Sequence, residues 1–182
     1  MANDEVDIVI IGLGAAGSAA AWNLSKNNLK IVCLEQGSKY DSSIFPKNKS
    51  ELIKNNNFNI NPNYRKLSGD YSIDDSESPI SIANYNGVGG STILYSGHFP
   101  RMHPSDFCTK SQDGVGVDWP FKYEDLEKYY DLNDKMMKVS GLSGDPAYPP
   151  IKDLLPPVPL GCSGERIAKS LNRLKWHWWP LY

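Results

Sequence analysis

The feature that most constrains the fold is a glycine-rich turn between two short, β-branched runs near the start of the chain. The first run is Asp7–Ile11 and the second is Lys30–Leu34, and both have the apolar character of buried parallel strands. The alanine-rich stretch between them predicts a helix from Gly14 to about Asn27. A strand, a helix and a second strand in this order predict a βαβ unit, and therefore an α/β fold.

The turn contains the pattern G-x-G-x-x-G, which after a strand and before a helix is typical of Rossmann-like cofactor binding. Gly12 would permit the tight turn, Gly14 the close approach of a pyrophosphate, and Gly17 the close packing of helix on strand. Ala15 and Ala16 open the helix, whose unpaired N–H groups and partial positive charge would face the phosphates. The turn therefore predicts a cofactor that carries a pyrophosphate.

An acidic residue ends the second predicted strand and narrows the choice of cofactor. Glu35, followed by Gln36, is placed to accept hydrogen bonds from the adenosine ribose hydroxyls. Its charge would repel a 2′-phosphate, which leaves NAD and FAD as the alternatives. FAD is favoured because Gly37 lets the chain turn away, and because a polar stretch over residues 40–81 replaces the helix and strand that an NAD domain would add next. Within that stretch only a short helix around Ser50–Lys54 is suggested.

Composition excludes several other classes of function. The 182 residues carry a net charge of −2 with no basic cluster, which argues against a nucleic-acid surface. Acidic residues precede the apolar run Ile8–Trp22, where a signal peptide would be basic, and the run is short for a membrane span. We therefore expect a cytoplasmic protein. Cys33, Cys108 and Cys162 lie far apart, which predicts buried thiols and no metal site.

The second half of the chain predicts two helices joined by a proline-rich connector. Apolar residues at helical spacing run from Leu126 to Met137 and predict a helix with a Tyr/Met stripe in the core and a stop at Gly141. The prolines between Asp145 and Gly161 predict a segment that is extended or turned and not helical. Ser163–Leu174 predicts a second helix with Ser163 as its N-cap.

A second glycine-rich segment, NYNGVGGSTILYSGHFPRMHPSDF, spans Asn84 to Phe107. Glycine weakens a strand and gives nothing to pack, so the segment does not fit a core strand. Together with DIVIIGLGAAGSAAAWNL and LEQG, it resembles the glucose–methanol–choline (GMC) oxidoreductases, which are FAD-dependent alcohol and sugar oxidases and dehydrogenases. The stretch DWPFKYEDLEKYYDLNDKMMKVSGL is also similar, so that the resemblance covers nearly the whole chain and is weakest over residues 40–81.

The resemblance implies that the second glycine segment lies along the flavin and the pyrophosphate. Its glycines would let the backbone touch the cofactor, and its hydroxyls and amides would bond phosphate or ribitol oxygens. The residues implied are Gly87, Gly89, Gly90, Ser91, Thr92, Tyr95 and Ser96. Leu94 occupies the position at which some members tether FAD through a histidine, and Tyr95 the position at which others carry asparagine. Non-covalent FAD is therefore expected.

The resemblance also implies a reaction, in which hydride passes from a CH–OH carbon of an alcohol, sugar or polyol to flavin N5. A histidine near the family's C-terminus takes the hydroxyl proton, and the resemblance of this chain runs out before that residue. We therefore expect the N-terminal portion of such an enzyme, with the catalytic base absent and the C-terminal segment required. His98 is a candidate for lining the site, whereas His103 and His177 are expected to be structural.

The expected organisation is an incomplete FAD-binding domain over residues 1–110, followed by the helical and proline-rich start of a substrate-domain region over 111–182. Residues 40–81 would form a polar excursion or cover within the first part. Two other functions remain open on sequence alone. One is an NAD-binding dehydrogenase domain, which would need a third parallel strand after residue 40. The other is a nucleotide-binding or interaction module without catalysis.

Overall fold

Two parallel strands joined by a helix begin the fold. The computed structural model describes residues 5–41, 43 and 59–180. Strand β1 (Ile8–Ile11) pairs in parallel with β2 (Ile31–Leu34), with Ile8 opposite Ile31 and Ile11 opposite Leu34. Helix α1 (Ala15–Leu24) makes the connection. The predicted α/β class and βαβ unit are confirmed, and α1 ends three residues before Asn27 because the chain turns at Ser25.

The two strands bury only one of their faces. Ile8 and Ile10 are partly covered, whereas their neighbours on the opposite face are open to solvent. The open face consists of Val9, Ile11, Val32 and Leu34, of which Ile11 is 85% exposed. Strands of a parallel sheet are normally covered on both faces, so this open face is the kind of surface that further polypeptide covers.

The chain divides into two compact units, Met1–Ser96 and Gly97–Tyr182. This division falls before residue 110, the boundary suggested by sequence; the assignment of cofactor and substrate parts to those ranges stays a prediction. In the first unit, β2 is followed among the described residues by the short helix α2 (Pro62–Arg65) and a 3₁₀ turn over Gly90–Ile93. The helix predicted around Ser50–Lys54 lies outside the described residues.

The second unit contains three further helices. Helix α3 is Thr109–Asp113, α4 is Tyr123–Met137 and α5 is Gly161–Leu174, and a 3₁₀ turn over Pro104–Phe107 precedes them. Between α4 and α5 the proline-rich connector is not helical, as predicted: the Tyr148 amide closes a turn onto the Asp145 carbonyl, and Leu155 forms a parallel bridge with Ser140. Helix α5 begins two residues before Ser163, since Leu160 occupies the N-cap position.

The buried face of α4 differs from the Tyr/Met stripe predicted by sequence. Leu126 and Tyr130 of the predicted stripe are partly buried, whereas Tyr129, Met136 and Met137 are exposed. Helix α4 ends at Met137 instead of near Gly141 because the next residue turns left-handed. The buried positions are Tyr123 and Asp134. The helix is therefore held by a polar contact at a position that hydrophobic periodicity counts as surface.

That polar contact is a buried charge cluster around Arg101. Its Nε donates to Asp134 at 2.9 Å, its Nη2 to Asp131 at 2.8 Å, and its Nη1 to the Tyr123 hydroxyl at 3.1 Å. The guanidinium also lies over the ring of Tyr130. Burial opposes the charge of Arg101, but these three hydrogen-bond partners outweigh burial and raise its pKa. The cluster fixes α4 to the segment that precedes it.

Around this cluster the second unit packs aromatic side chains. Phe107 and Tyr123 are buried against each other with ring centroids 6.4 Å apart, and His103 stacks on Tyr148 at 3.9 Å. His177 bonds the buried carboxylate of Asp145 at 3.0 Å. The structural interpretation of His103 and His177 is consistent with these contacts.

Two further expectations from the sequence concern the burial of the cysteines and the absence of a membrane-spanning helix. Cys33 and Cys108 are partly buried, but Cys162 is exposed on α5, so the expectation of buried thiols is wrong for that residue. Among the described residues, no helix has both the length and the apolar character that crossing a membrane requires.

Candidate functional site

The first glycine turn has the backbone geometry that its sequence predicted. Gly12 adopts a φ of 88°, which favours glycine, and its amide donates to the Leu34 carbonyl at 2.7 Å. A Cβ on Gly17 would lie 1.9 Å from the Gly12 carbonyl oxygen. Close packing of α1 on β1 therefore depends on the missing side chain at Gly17, as its position in the motif predicted.

The beginning of α1 offers an open place for an anion. The N-cap residue Gly14 has no side chain that could cap the helix, and the first turn contains no acidic residue. A Cβ added to Gly14 would meet no atom within 4 Å. The N–H groups at Ala15 and Ala16 belong to the first turn, where a helix has no internal acceptors. These residues fit a pyrophosphate, which would take the free space at Gly14 and the first-turn amides.

The carboxylate of Glu35 joins the end of β2 to the glycine turn. One oxygen accepts from the Leu13 amide at 2.7 Å and the other from the Gly37 amide at 2.9 Å. The hydrogen bond from Gly37, and next that from Leu13, hold the pKa of Glu35 below its ordinary value of 4.5. Each oxygen keeps a further lone pair for a ribose hydroxyl, so the predicted role of Glu35 is compatible with these contacts.

The lowered pKa of Glu35 predicts how stability depends on pH. A group whose pKa is lower in the folded state stabilises the fold above its unfolded pKa and loses this contribution as the pH falls through its folded pKa. We expect Glu35→Gln to lower the midpoint of thermal unfolding at pH 6 to 7, and the gap to wild type to close as the pH falls below about 4.5. Circular dichroism melts over this range measure the gap. Exposed Glu77→Gln is the control, and a gap that persists unchanged to pH 3 would contradict the assignment.

The second glycine segment lies directly against the first turn. The Gly89 amide donates to the Leu13 carbonyl at 2.8 Å, and Gly89 has a φ of 101°. A Cβ on Gly90 would lie 3.0 Å from the Cα of Gly14. Residues that are some seventy-five positions apart in the sequence thus form one backbone surface around Gly14.

A backbone contact between two further glycines supports this arrangement. Ser38 and Gly87 form a parallel bridge, in which the Val88 amide donates to the Ser38 carbonyl at 3.3 Å. A Cβ on Gly37 would lie 2.2 Å from the Gly87 nitrogen. Gly37 is therefore required for close approach of the two segments, in addition to the turn for which sequence analysis proposed it.

The side chains of the second segment are partly engaged within the loop itself. Ser91 Oγ accepts from the Tyr85 amide at 3.3 Å, and the Thr92 hydroxyl donates to the Gly89 carbonyl. Tyr95 and Leu94 line a cavity of about 160 Å³ beside Tyr85. The predicted contacts of Ser91, Thr92, Tyr95 and Ser96 with the cofactor stay predictions.

The roles predicted for Gln36 and His98 are not tested by these contacts. Gln36 is exposed beyond the end of β2. His98 belongs to the second compact unit, whereas both glycine segments belong to the first. Its proposed position at the site therefore stays a prediction.

Sequence reasoning missed Leu13 and Ser38, which join the two segments through backbone atoms. Leu13 donates to Glu35 and accepts from Gly89, and Ser38 accepts from Val88. No side-chain pattern signals such a role. The motif spacing could have suggested Leu13, because the residue between two loop glycines must lie at the tip of the turn.

Comparison with known proteins agrees with this geometry. A family model described as an FAD binding domain matches residues 7–45, a range that contains the first glycine turn and Glu35. The open space at Gly14 with the first-turn amides of α1, here called the pyrophosphate cradle, agrees with this match. Together they confirm FAD as the cofactor of this segment.

Several curated proteins are similar over most of the chain. The 2-methyl-1,2-propanediol dehydrogenase of Mycolicibacterium austroafricanum is 38% identical over 97% of this chain and 33% of its own length. The fructose dehydrogenase large subunit of Gluconobacter japonicus is 30% identical over 79% of the chain and 29% of its own length. A protein described as a truncated, inactive GMC-type oxidoreductase, from Acanthamoeba polyphaga mimivirus, is 29% identical over 70% of the chain and 30% of its own length.

Fold and site define an FAD-binding α/β segment. The resemblance to glucose–methanol–choline oxidoreductases is confirmed, and the chain is a relative of the N-terminal portion of that family. It spans about a third of the length of the curated relatives that it matches.

Proposed function

We propose that this chain is the N-terminal, cofactor-holding part of an FAD-dependent oxidoreductase that acts on the CH–OH group of an alcohol, sugar or polyol. The observation that carries the proposal is the hydrogen bond from Gly89 to Leu13, which unites both glycine segments around the open space at Gly14. FAD, when bound, supplies the acceptor for hydride from the substrate carbon. The substrate class is proposed from the names of the two dehydrogenases that the chain resembles.

Within this function, the chain's own residues bind and position the cofactor. Gly14 and the first-turn amides of α1 would hold the pyrophosphate, and the Glu35 carboxylate would orient the ribose. Gly87, Gly89 and Gly90 would allow close approach along the flavin. Leu94 in place of a tethering histidine supports non-covalent binding. We assign no catalytic acid or base to this chain.

The second part of the proposal is that further polypeptide completes the cofactor domain. The open sheet face, with Ile11 at 85% exposure, supports this because parallel strands are normally covered on both faces. Helix α1 supports it as well, because its many apolar residues are not confined to one face and none of its residues is buried. We therefore expect the isolated chain to bind FAD weakly and to show no turnover.

A chimera with a full-length relative tests the function, because the relative supplies the remainder of the enzyme. This chain would replace the first third of the 2-methyl-1,2-propanediol dehydrogenase to which it is 38% identical. We expect a yellow protein whose flavin is released by acid, because binding is non-covalent, and which oxidises a small polyol. Mass spectrometry of the released ligand separates FAD from NAD. A chimera that folds but retains neither ligand would contradict the proposal.

Gly14 gives the sharpest single-residue test of the pyrophosphate cradle. A methyl group at Gly14 has free space in the protein but would occupy the place proposed for phosphate. We expect Gly14→Ala to weaken FAD binding in the chimera at least tenfold, measured by quenching of flavin fluorescence, with nearly unchanged thermal stability. Gly114→Ala, just after α3, is the control for FAD affinity: its added methyl also meets no atom within 4 Å, although its φ of 76° suits alanine less well than the −69° of Gly14. Equal FAD affinity in Gly14→Ala and the parent would place the pyrophosphate elsewhere.

A further inference from the structure

A second buried charge pair lies in the part of residues 40–81 that sequence analysis assigned to a polar excursion. Arg65, at the end of α2, is only 2% exposed. Its Nε and Nη2 donate to the two carboxylate oxygens of Asp70 at 3.0 and 2.8 Å. Asp70 also accepts from the Leu67 amide at 2.8 Å. Such a two-point pair between planar groups fixes direction as well as distance.

The same guanidinium reaches the chain that leads into the second glycine segment. Its Nη2 donates to the Asn84 carbonyl at 2.5 Å, and its Nη1 donates to the Asn59 carbonyl at 3.2 Å. It also lies 4.9 Å from the ring centre of Tyr85, which is buried. The guanidinium of Arg65 therefore contacts both Asn84 and Tyr85, the two residues immediately before Asn86 and Gly87.

The segment held by Arg65 carries the contacts that build the cofactor surface. The Tyr85 amide bonds Ser91 Oγ within the loop, and the Val88 and Gly89 amides bond the carbonyls of Ser38 and Leu13. The adjacent residue Gly69 packs on Asn86, since a Cβ there would lie 3.1 Å from its carbonyl oxygen. A displacement at Asn84 would consequently move the Gly87–Gly90 turn away from Gly14.

We infer that Arg65 and Asp70 are positioning residues, which order the second glycine segment against the first turn before the cofactor binds. The inference rests on the proposed function only in its last step, that the ordered second glycine segment serves to bind FAD. Lysine cannot replace arginine here, because one ammonium group cannot bond both carboxylate oxygens and the Asn84 carbonyl in a fixed plane. A rigid loop loses less freedom on binding FAD, so the pair contributes to affinity without touching the ligand.

Hydrogen–deuterium exchange on the full chain without FAD tests the inference directly. We expect Arg65→Lys to accelerate exchange of the amides over residues 84–90 at least tenfold, with little change in β1 and β2. Asp70→Asn keeps the shape and removes the charge, and it should give the same pattern. The matched control is Arg101→Lys, which makes the same substitution in the buried cluster of the second unit and should leave residues 84–90 unchanged.

Two results would overturn the inference. One is unchanged exchange over residues 84–90 in both variants. The other is equal acceleration of that segment and of β1 and β2 in both variants, which would mean that the pair only stabilises the first unit as a whole. An FAD titration of the chimera is the separate arm, in which Arg65→Lys should weaken binding at least fivefold. If the parent chimera binds no FAD, the proposed function fails, while the exchange result still decides the role of the pair.

Discussion

Gly17→Ala is expected to destabilise the first unit by about 3 kcal/mol, the upper range for an extra methylene in a packed core. The added Cβ would lie 1.9 Å from the Gly12 carbonyl oxygen and 3.1 Å from its carbon. These are backbone atoms of the turn, so α1 must move away from β1 to relieve the overlap. Urea unfolding followed by circular dichroism should show a lower midpoint, and the FAD affinity of the chimera should fall as well.

Gly14→Ala is the matched comparison, since it makes the same chemical change three residues earlier in the same motif. Its Cβ would meet nothing within 4 Å, and Gly14 has a φ of −69°, which alanine also adopts. Both substitutions restrict the unfolded chain equally, because each replaces glycine by alanine. The difference between their free energies of unfolding therefore arises in the folded state. Equal stability of the two variants would show that α1 does not pack on β1 through Gly17.

The βαβ unit could be predicted from sequence because all of its signals are local. The β-branched runs, the alanine-rich helix and the glycine spacing lie within forty residues, and each indicates the same structure. The roles of Gly12 and Gly17 follow from backbone geometry, which the motif constrains closely. Both strands and α1 begin one residue later than predicted, and α1 ends three residues earlier because nothing in the sequence marks Ser25 as the stop.

Helix α4 shows why hydrophobic periodicity predicted only part of the buried face. The pattern counts Tyr129, Met136 and Met137 as core and Asp134 as surface. In the structure Asp134 is buried, because Arg101 lies beside it with a charge that needs a partner. A pair whose members are 33 positions apart leaves no periodic trace in a single sequence.

The same reasoning applies to residues 59–73, which look like a polar loop by composition. Their polarity is used internally: Asn61 caps α2, Asn63 bonds Ile73 and Arg65 bonds Asp70. Composition cannot separate polar groups that bond each other from polar groups that bond water. The approach of the second glycine segment to the first turn was expected only from family resemblance. Its hydrogen bonds to Leu13 and Ser38 use backbone atoms, which no side-chain pattern in the sequence reveals.

Arg101→Met is expected to destabilise the second unit by about 3 to 5 kcal/mol, the cost of removing one member of a buried ion pair. Methionine fills much of the volume but leaves the carboxylate of Asp134, a residue 3% exposed, without its cation. It also removes the donor to the Tyr123 hydroxyl. Urea unfolding followed by tryptophan fluorescence measures the loss, because four of the five tryptophans belong to the second unit.

Two further variants distinguish the contribution of the buried Asp134 from that of the partly exposed Asp131. Asp131 bonds the same guanidinium, but its side chain is 31% exposed, so Asp131→Asn should cost less than about 1 kcal/mol. The double variant Arg101→Met with Asp134→Leu removes both buried charges and should recover most of the stability that Arg101→Met loses. A double variant no more stable than Arg101→Met would mean that the lost packing of the arginine stem, and not the unpaired carboxylate, is the cause. The comparison therefore tests whether α4 is fixed by charge, which is the property that its hydrophobic pattern concealed.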